Sequence, residues 1–253
     1  MLTIIFILQM LTAASVIIWF ILIIFRGQFW RADQYLPDIE ISFSTPPEIV
    51  IIIPARNEEQ TIGHCISSLL QQDYKGTMSI IIINDSSNDN TLAVVKSASQ
   101  GCNNIHLING AETPSAWTGK LWAMAQGVEF AKKTFRHADY YLFTDSDILH
   151  HPKNITELAT KATNENLALV SLMVKLRCIS IWETLLMPAF IFFFQKLYPF
   201  SLVNNPKKSN AAAAGGCMLV NCQDLEKVGG LKNIKAAIID DCALATLLKQ
   251  ANP

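Results

Sequence analysis

Four short apolar runs, three of them closing directly on a polar turn, constrain this chain most. "EIVIIIPA" begins at Glu48, "MSIIII" at Met78, "NNIHLIN" at Asn103 and "YYLFT" at Tyr140. Their apolar residues follow one another without alternation, the pattern of strands covered on both faces. Helical spacing follows the first run, with Ile62, Ile66, Leu69 and Leu70 on one side, and "TLAVVKSAS" follows the second. "TGKLWAMAQGVEFAKKTF" follows the third. Strands alternating with helices predict an α/β fold, a Rossmann-like and mainly parallel sheet with helices on both faces. In such sheets ligands sit beyond the carboxyl ends of the strands. The turns there are where chemistry is to be sought.

Those turns carry acids. The second run closes on Asn84-Asp85-Ser86-Ser87-Asn88-Asp89, the fourth on Asp145-Ser146-Asp147. Asp and Ser at a helix start satisfy free backbone amides. Capping accounts for Asp89 or Ser87, and less well for Asp85, which sits at the strand end itself. Asp-x-Asp is frequent by chance, but here it follows a buried-looking strand. Two carboxylates there can bind a hard divalent cation, Mg²⁺ or Mn²⁺, that also contacts a diphosphate. The chain has neither the P-loop pattern nor GxGxxG. A third acidic pair, Asp240-Asp241, interrupts an apolar run just before "CALATLLK". It is suited either to capping a helix or to taking a proton.

Residues 1–25 contain no charge and are long enough to cross the hydrocarbon core. Arg26 and Arg31 follow directly, which places the C-terminal side in the cytosol. A basic stretch ahead of the apolar run, the mark of a cleaved signal, is missing. The expected organisation is a transmembrane anchor over 1–25 in the inner (cytoplasmic) membrane, a linker over 26–47 and a cytosolic catalytic domain over 48–253. Residues 181–203 are again apolar but are broken by Glu183, Pro188, Gln195 and Lys196. They read as a segment lying in the membrane surface, aromatics at headgroup depth, which points to a lipid acceptor. A net charge of −1 provides no basic field for nucleic acid. Six cysteines without CxxC spacing read as free thiols in a reducing compartment.

"VIIIPARNEE", "IINDSSNDNT", "GKLWAMAQG", "FTDSDI", "AAAAGGCMLV", "LEKVGGL" and "DDCALATLLK" occur in the order and spacing of the family 2 glycosyltransferases. The resemblance covers about residues 48–250 and implies the GT-A nucleotide-diphospho-sugar transferase fold. Trp117-Thr118-Gly119-Lys120, "PAFIFFFQKLYPF" and "AAAAGG" look more narrowly like the bacterial hopanoid-biosynthesis-associated membrane glycosyltransferases. The resemblance implies roles residue by residue. Pro54, Ala55, Arg56 and Glu58 match the motif that packs around the nucleotide, and Asp85 the acid that recognises the base, usually uracil. Asp145 and Asp147 match the metal-binding pair, Asp147 the more direct ligand. Lys120 opens a helix after a glycine and approaches the diphosphate. Asp240 and Asp241 match the acidic catalytic pair, with Asp241 as base. The family's Gln-x-x-Arg-Trp motif does not follow them before Pro253, which implies a C-terminally truncated acceptor side.

Three function classes therefore stand side by side. The first is a membrane glycosyltransferase that moves a sugar from a nucleotide-diphospho-sugar, a UDP-sugar by preference, to a lipid such as a hopanoid. The second is an inactive remnant that still binds sugar nucleotides. The third is a nucleotidyltransferase, disfavoured because "PARNEE" lacks a glycine-rich basic turn. Among weaker candidates, His150-His151 suit metal or phosphate but better fit a loop before Pro152, and Lys207-Lys208 suit phosphate but at least as well a solvated basic loop. Gly215-Gly216 permit close backbone approach, and Trp117 stacks on a ligand or simply packs.

Overall fold

The structure, a computed structural model, describes residues 1–36 and 45–251. The middle of the expected linker, 37–44, lies outside the described residues. The chain forms two compact units, one of Met1–Tyr35 with Lys175–Ala211 and one of Leu36–Val174 with Ala212–Pro253.

The larger unit is a six-stranded sheet in the order β3-β2-β1-β4-β6-β5. Its strands are β1 (Ile49–Ala55), β2 (Met78–Asn84), β3 (Ile105–Asn109), β4 (Tyr140–Thr144), β5 (Leu169–Ser171) and β6 (Cys217–Asn221). The first four are parallel; β6 runs antiparallel to both β4 and β5. Its helices are α2 (Ile62–Leu70), α3 (Thr91–Ala98), α4 (Gly119–Thr134), α5 (Asn154–Asn164), α8 (Cys222–Lys227) and α9 (Asp240–Ala251).

The isoleucine runs explain why both faces need cover. Residues 49, 51 and 53 of β1 and 80 and 82 of β2 join one core with Ile62, Cys65, Ile66 and Leu69 of α2 and with Ile155, Leu158, Ala159 and Ala162 of α5. Ile52 and Ile83 face the other way, onto Gly127 of α4. Each such aliphatic side chain, taken from water, contributes about 1.5–3 kcal/mol. The expected mainly parallel α/β sheet with helices on both faces is thus present. One position of the α2 face differs: Leu70 is exposed and Cys65 takes the inward place.

The smaller unit contains α1 (Leu2–Phe25), α6 (Ile181–Leu197) and α7 (Phe200–Val203). Residues 2–25 and 181–203 are both long and apolar enough to cross a membrane. No residue of α1 or α6 is buried. Their C-terminal ends meet: the Arg26 guanidinium donates to the carbonyls of Lys196 and Leu197 at 3.2 Å each. Phe192 contacts both Trp19 and Phe29. Helix α6 opens on a capping box, in which Ser180 and Glu183 satisfy each other's free amides. Pro188 lies inside the helix.

Candidate active site

The parallel strands β1, β2 and β4 end on one edge, and the residues singled out in the sequence follow directly. Pro54 and Ala55 close β1, with Ala55 buried. Asp85, also buried, donates its amide to the Ala55 carbonyl at 2.8 Å. The Arg56 guanidinium stands 3.7 Å from Asp85 Oδ2. Gly119, the first residue of α4, lies so close that a Cβ there would stand 3.3 Å from that oxygen.

The turns after β1 and β2 are laced together. The Asn57 amide donates to Ser87 Oγ, and the Asn88 amide to Asn57 Oδ1. Asp89 accepts from the Glu59 and Thr91 amides. Ser87 and Asp89 thus serve backbone amides, whereas Asp85 faces Arg56 and α4. The Glu58 carboxylate accepts from Thr61 Oγ1 at 2.6 Å, bracing the start of α2.

Three carboxylates act on one ammonium. Lys120 Nζ lies 2.6 Å from Asp145 Oδ1. Burial works against the lysine charge, but Asp145, with Asp240 and Asp241 behind it, outweighs burial and holds the ammonium above its ordinary range. Asp145 is itself held high. Burial and the nearby charges of Asp147 and Asp240 together exceed the pull of Lys120. Asp147, at the far end of the turn, is exposed.

Asp240 and Asp241 form the first turn of α9. Asp241 Oδ2 accepts the Gly215 amide at 2.8 Å and Oδ1 the Cys242 amide at 2.7 Å. A Cβ at residue 215 would stand 3.2 Å from Asp241 Oδ2, so glycine is what lets the backbone come this near. Asp240 Oδ2 is buried and has no hydrogen-bond partner among the described residues. Among the described residues, no group of three His, Cys, Asp or Glu side chains is arranged to hold a metal ion. Cation binding at this edge therefore needs oxygens from a ligand as well as from aspartates.

Behind the turn, His150 is neither a ligand of metal or phosphate nor an ordinary loop residue, because both ring nitrogens are already paired inside the fold. His150 is buried, and its Nδ1 pairs with Asn154 Nδ2 at 2.9 Å. The amide nitrogen can only donate, which assigns the ring proton to Nε2. From there it is donated to Thr144 Oγ1 at 3.0 Å, and Thr144 donates on to the Gly216 carbonyl at 2.9 Å. Burial pushes the imidazole down to about 4, so it is neutral at physiological pH. This relay joins the last residue of β4, just ahead of Asp145, to the loop that Asp241 clasps. Its only sequence signal was a histidine three residues beyond Asp147.

His151 is exposed. Lys207 and Lys208 are exposed and belong to the smaller unit. Trp117 packs on Trp122 with ring centroids 5.3 Å apart.

Residues 50–229 match the model of glycosyl transferase family 2. A 4,4'-diaponeurosporenoate glycosyltransferase of Staphylococcus aureus is 35% identical over 109 residues. That stretch covers 43% of this chain and 26% of the relative, so the chain spans about a quarter of the relative's length. Among solved structures, a mannosyltransferase from Pyrobaculum calidifontis in complex with GDP-Man and Mn²⁺ has a TM-score of 0.61 at 18% identity. That match covers 88% of this chain and 57% of the other. TarS 1-349 of S. aureus has a TM-score of 0.54 at 17% identity, covering 80% and 55%. At these identities the likeness concerns the fold.

Proposed function

The chain belongs to glycosyl transferase family 2, and from that premise we propose that it is a membrane-bound inverting transferase moving a sugar from a nucleotide-diphospho-sugar to a lipid. The observation that carries the reading is the gathering of Asp145, Asp240 and Asp241 around Lys120 at the carboxyl edge of the sheet. In this reading the nucleotide lies along Pro54, Ala55, Arg56 and Glu58, and Asp85 reads the base, a uracil by preference. The oxygen-only donor set at this edge fits a hard divalent cation, Mg²⁺ or Mn²⁺. Asp147 and Asp145 would hold it, and it would supply positive charge opposite the leaving diphosphate.

Asp241 is the base of this proposal. The Gly215 and Cys242 amides fix its carboxylate in one orientation and leave lone pairs to accept an acceptor hydroxyl. The hydroxyl attacks the anomeric carbon opposite the leaving diphosphate and gives its proton to Asp241 as the bond forms. Holding the two substrates in line removes much of the entropic barrier.

Chain topology bears on the acceptor. Strands β5 and β6 are neighbours in one sheet, so the chain from Leu172 to Gly216 leaves and returns on the same side of any membrane. A single crossing by 181–203 would break that pairing. In this reading helix α6 lies in the surface, its exposed Ile181, Trp182, Leu185 and Phe193 toward lipid, and α1 is the spanning anchor. The S. aureus relative is named for glycosylating 4,4'-diaponeurosporenoate. We infer a lipid acceptor here too, with a hopanoid as the first to test, and a catalytic domain on the cytosolic side of the inner membrane.

The test is transfer from radiolabelled UDP-sugars to membrane lipid by the full chain or a longer natural homologue. Asp241→Asn should keep donor binding and lower transfer by about 10²–10⁴. Undiminished transfer by Asp241→Asn would refute the assignment of the base. Release of pyrophosphate in place of nucleoside diphosphate would refute the reaction type.

A further inference from the structure

Lys120 is attached to the carboxylate that a metal would need. Its ammonium lies 2.6 Å from Asp145 Oδ1, while a second carboxylate within its field, Asp240, keeps a buried oxygen without a donor among the described residues. A buried acceptor without a donor carries the full cost of its desolvation. The lysine side chain is a flexible four-carbon stem bearing three rotatable donors. It starts from the second residue of α4, beside the place where Asp85 meets the helix start.

We propose that Lys120 is an internal counter-cation that competes with a divalent metal for Asp145 and turns to Asp240 and the diphosphate when metal and nucleotide arrive together. This rests on the metal-binding reading of Asp145 and Asp147 and adds a device to it. While Lys120 neutralises Asp145, a free divalent cation meets a site that is already paired. A nucleoside diphosphate offers the ammonium new oxygens, so Lys120 can leave Asp145 at little cost. The orphaned Asp240 oxygen gives the lysine a second landing point. Cation binding is thereby tied to donor binding: the metal alone binds weakly, and the metal with nucleotide binds well. Neutral or basic replacements at residue 120 should separate these effects. A neutral side chain removes the competitor, whereas arginine keeps the charge and retains the pairing.

The experiment measures Mn²⁺ binding by electron paramagnetic resonance of the free ion, using the full chain in detergent. Mn²⁺ is added alone, then with UDP and, separately, GDP. The wild-type chain should bind Mn²⁺ weakly alone and more tightly with a nucleotide. Lys120→Gln should bind Mn²⁺ alone about three- to tenfold more tightly than wild type, the worth of one partly exposed ion pair together with the removal of a like charge. Lys120→Arg should show no such gain. Asp147→Ala, measured in parallel, reports on the site itself. If Asp147→Ala loses Mn²⁺ but Lys120→Gln binds it no better than wild type, competition is refuted and the metal site stands. A gain in Lys120→Arg equal to that in Lys120→Gln also refutes competition. If no protein binds Mn²⁺ with either nucleotide, the metal reading falls and takes this proposal with it.

Discussion

Acid should loosen this fold through His150. The imidazole is buried between Thr144 and Asn154, and burial lowers it to about 4. In the unfolded chain it returns to its ordinary value near 6.5. The unfolded chain thus takes up the proton first as pH falls. The stability this residue contributes is complete above about pH 6.5 and is lost as pH falls toward 4. The full difference is worth about 3 kcal/mol, and about 2 kcal/mol of it disappears between pH 7.5 and pH 5. Urea unfolding of the full chain in a non-ionic detergent, followed by the circular dichroism of the sheet, measures it. Carboxylates also titrate in this range, so the informative quantity is the difference from His150→Gln, which keeps a donor toward Thr144. That variant should be about 1–2 kcal/mol less stable at pH 7.5, from the weakened relay, yet should lose about 2 kcal/mol less than wild type on going to pH 5. Equal pH slopes in the two proteins would refute the buried neutral histidine.

Two further outcomes follow from packing. Gly127→Ala places a methyl 2.6 Å from Ile52 Cγ2 and 2.8 Å from Ile83 Cδ1. It should cost about 1–3 kcal/mol by overpacking, read as a lower urea midpoint; an unchanged midpoint would show that α4 does not sit so close to the sheet. A chain lacking residues 1–25 should still float with lipid vesicles through α6, and a fully soluble protein would refute the surface-lying helix.

Much of the larger unit was legible because its first four strands announce themselves locally. Apolar runs such as "IVIII" and "IIII" cannot stand in water on either face, and each is followed by a turn and a helix. The α2 face was read with one error, Leu70 in place of Cys65. The spacing was right, but a buried cysteine is a small hydrophobe that a pattern of large aliphatics passes over. β5 and β6 were not read as strands. Three residues, Leu169–Ser171, carry no periodicity to detect. The reversal of β6 is set by its partners β4 and β5, far away in sequence, and by nothing in "CMLVN" itself.

That reversal is also what builds the candidate site, and it explains why the site was only partly legible. Because β6 runs against β4, its first residue, Cys217, pairs with the last residue of β4, Thr144. The Gly215-Gly216 loop therefore arrives at the edge where Asp145 begins, and the Asp145 amide donates to the Gly216 carbonyl at 3.4 Å. A parallel sixth strand would start at the opposite edge and carry that loop away from the acids. Once the loop is in place, its Gly215 amide reaches Asp241 and its Gly216 carbonyl reaches Thr144. The two acidic motifs, nearly a hundred residues apart, are thus fixed to the two ends of one dipeptide. Their residue types could be read along the chain. Their meeting depends on strand direction, which only the folded sheet decides.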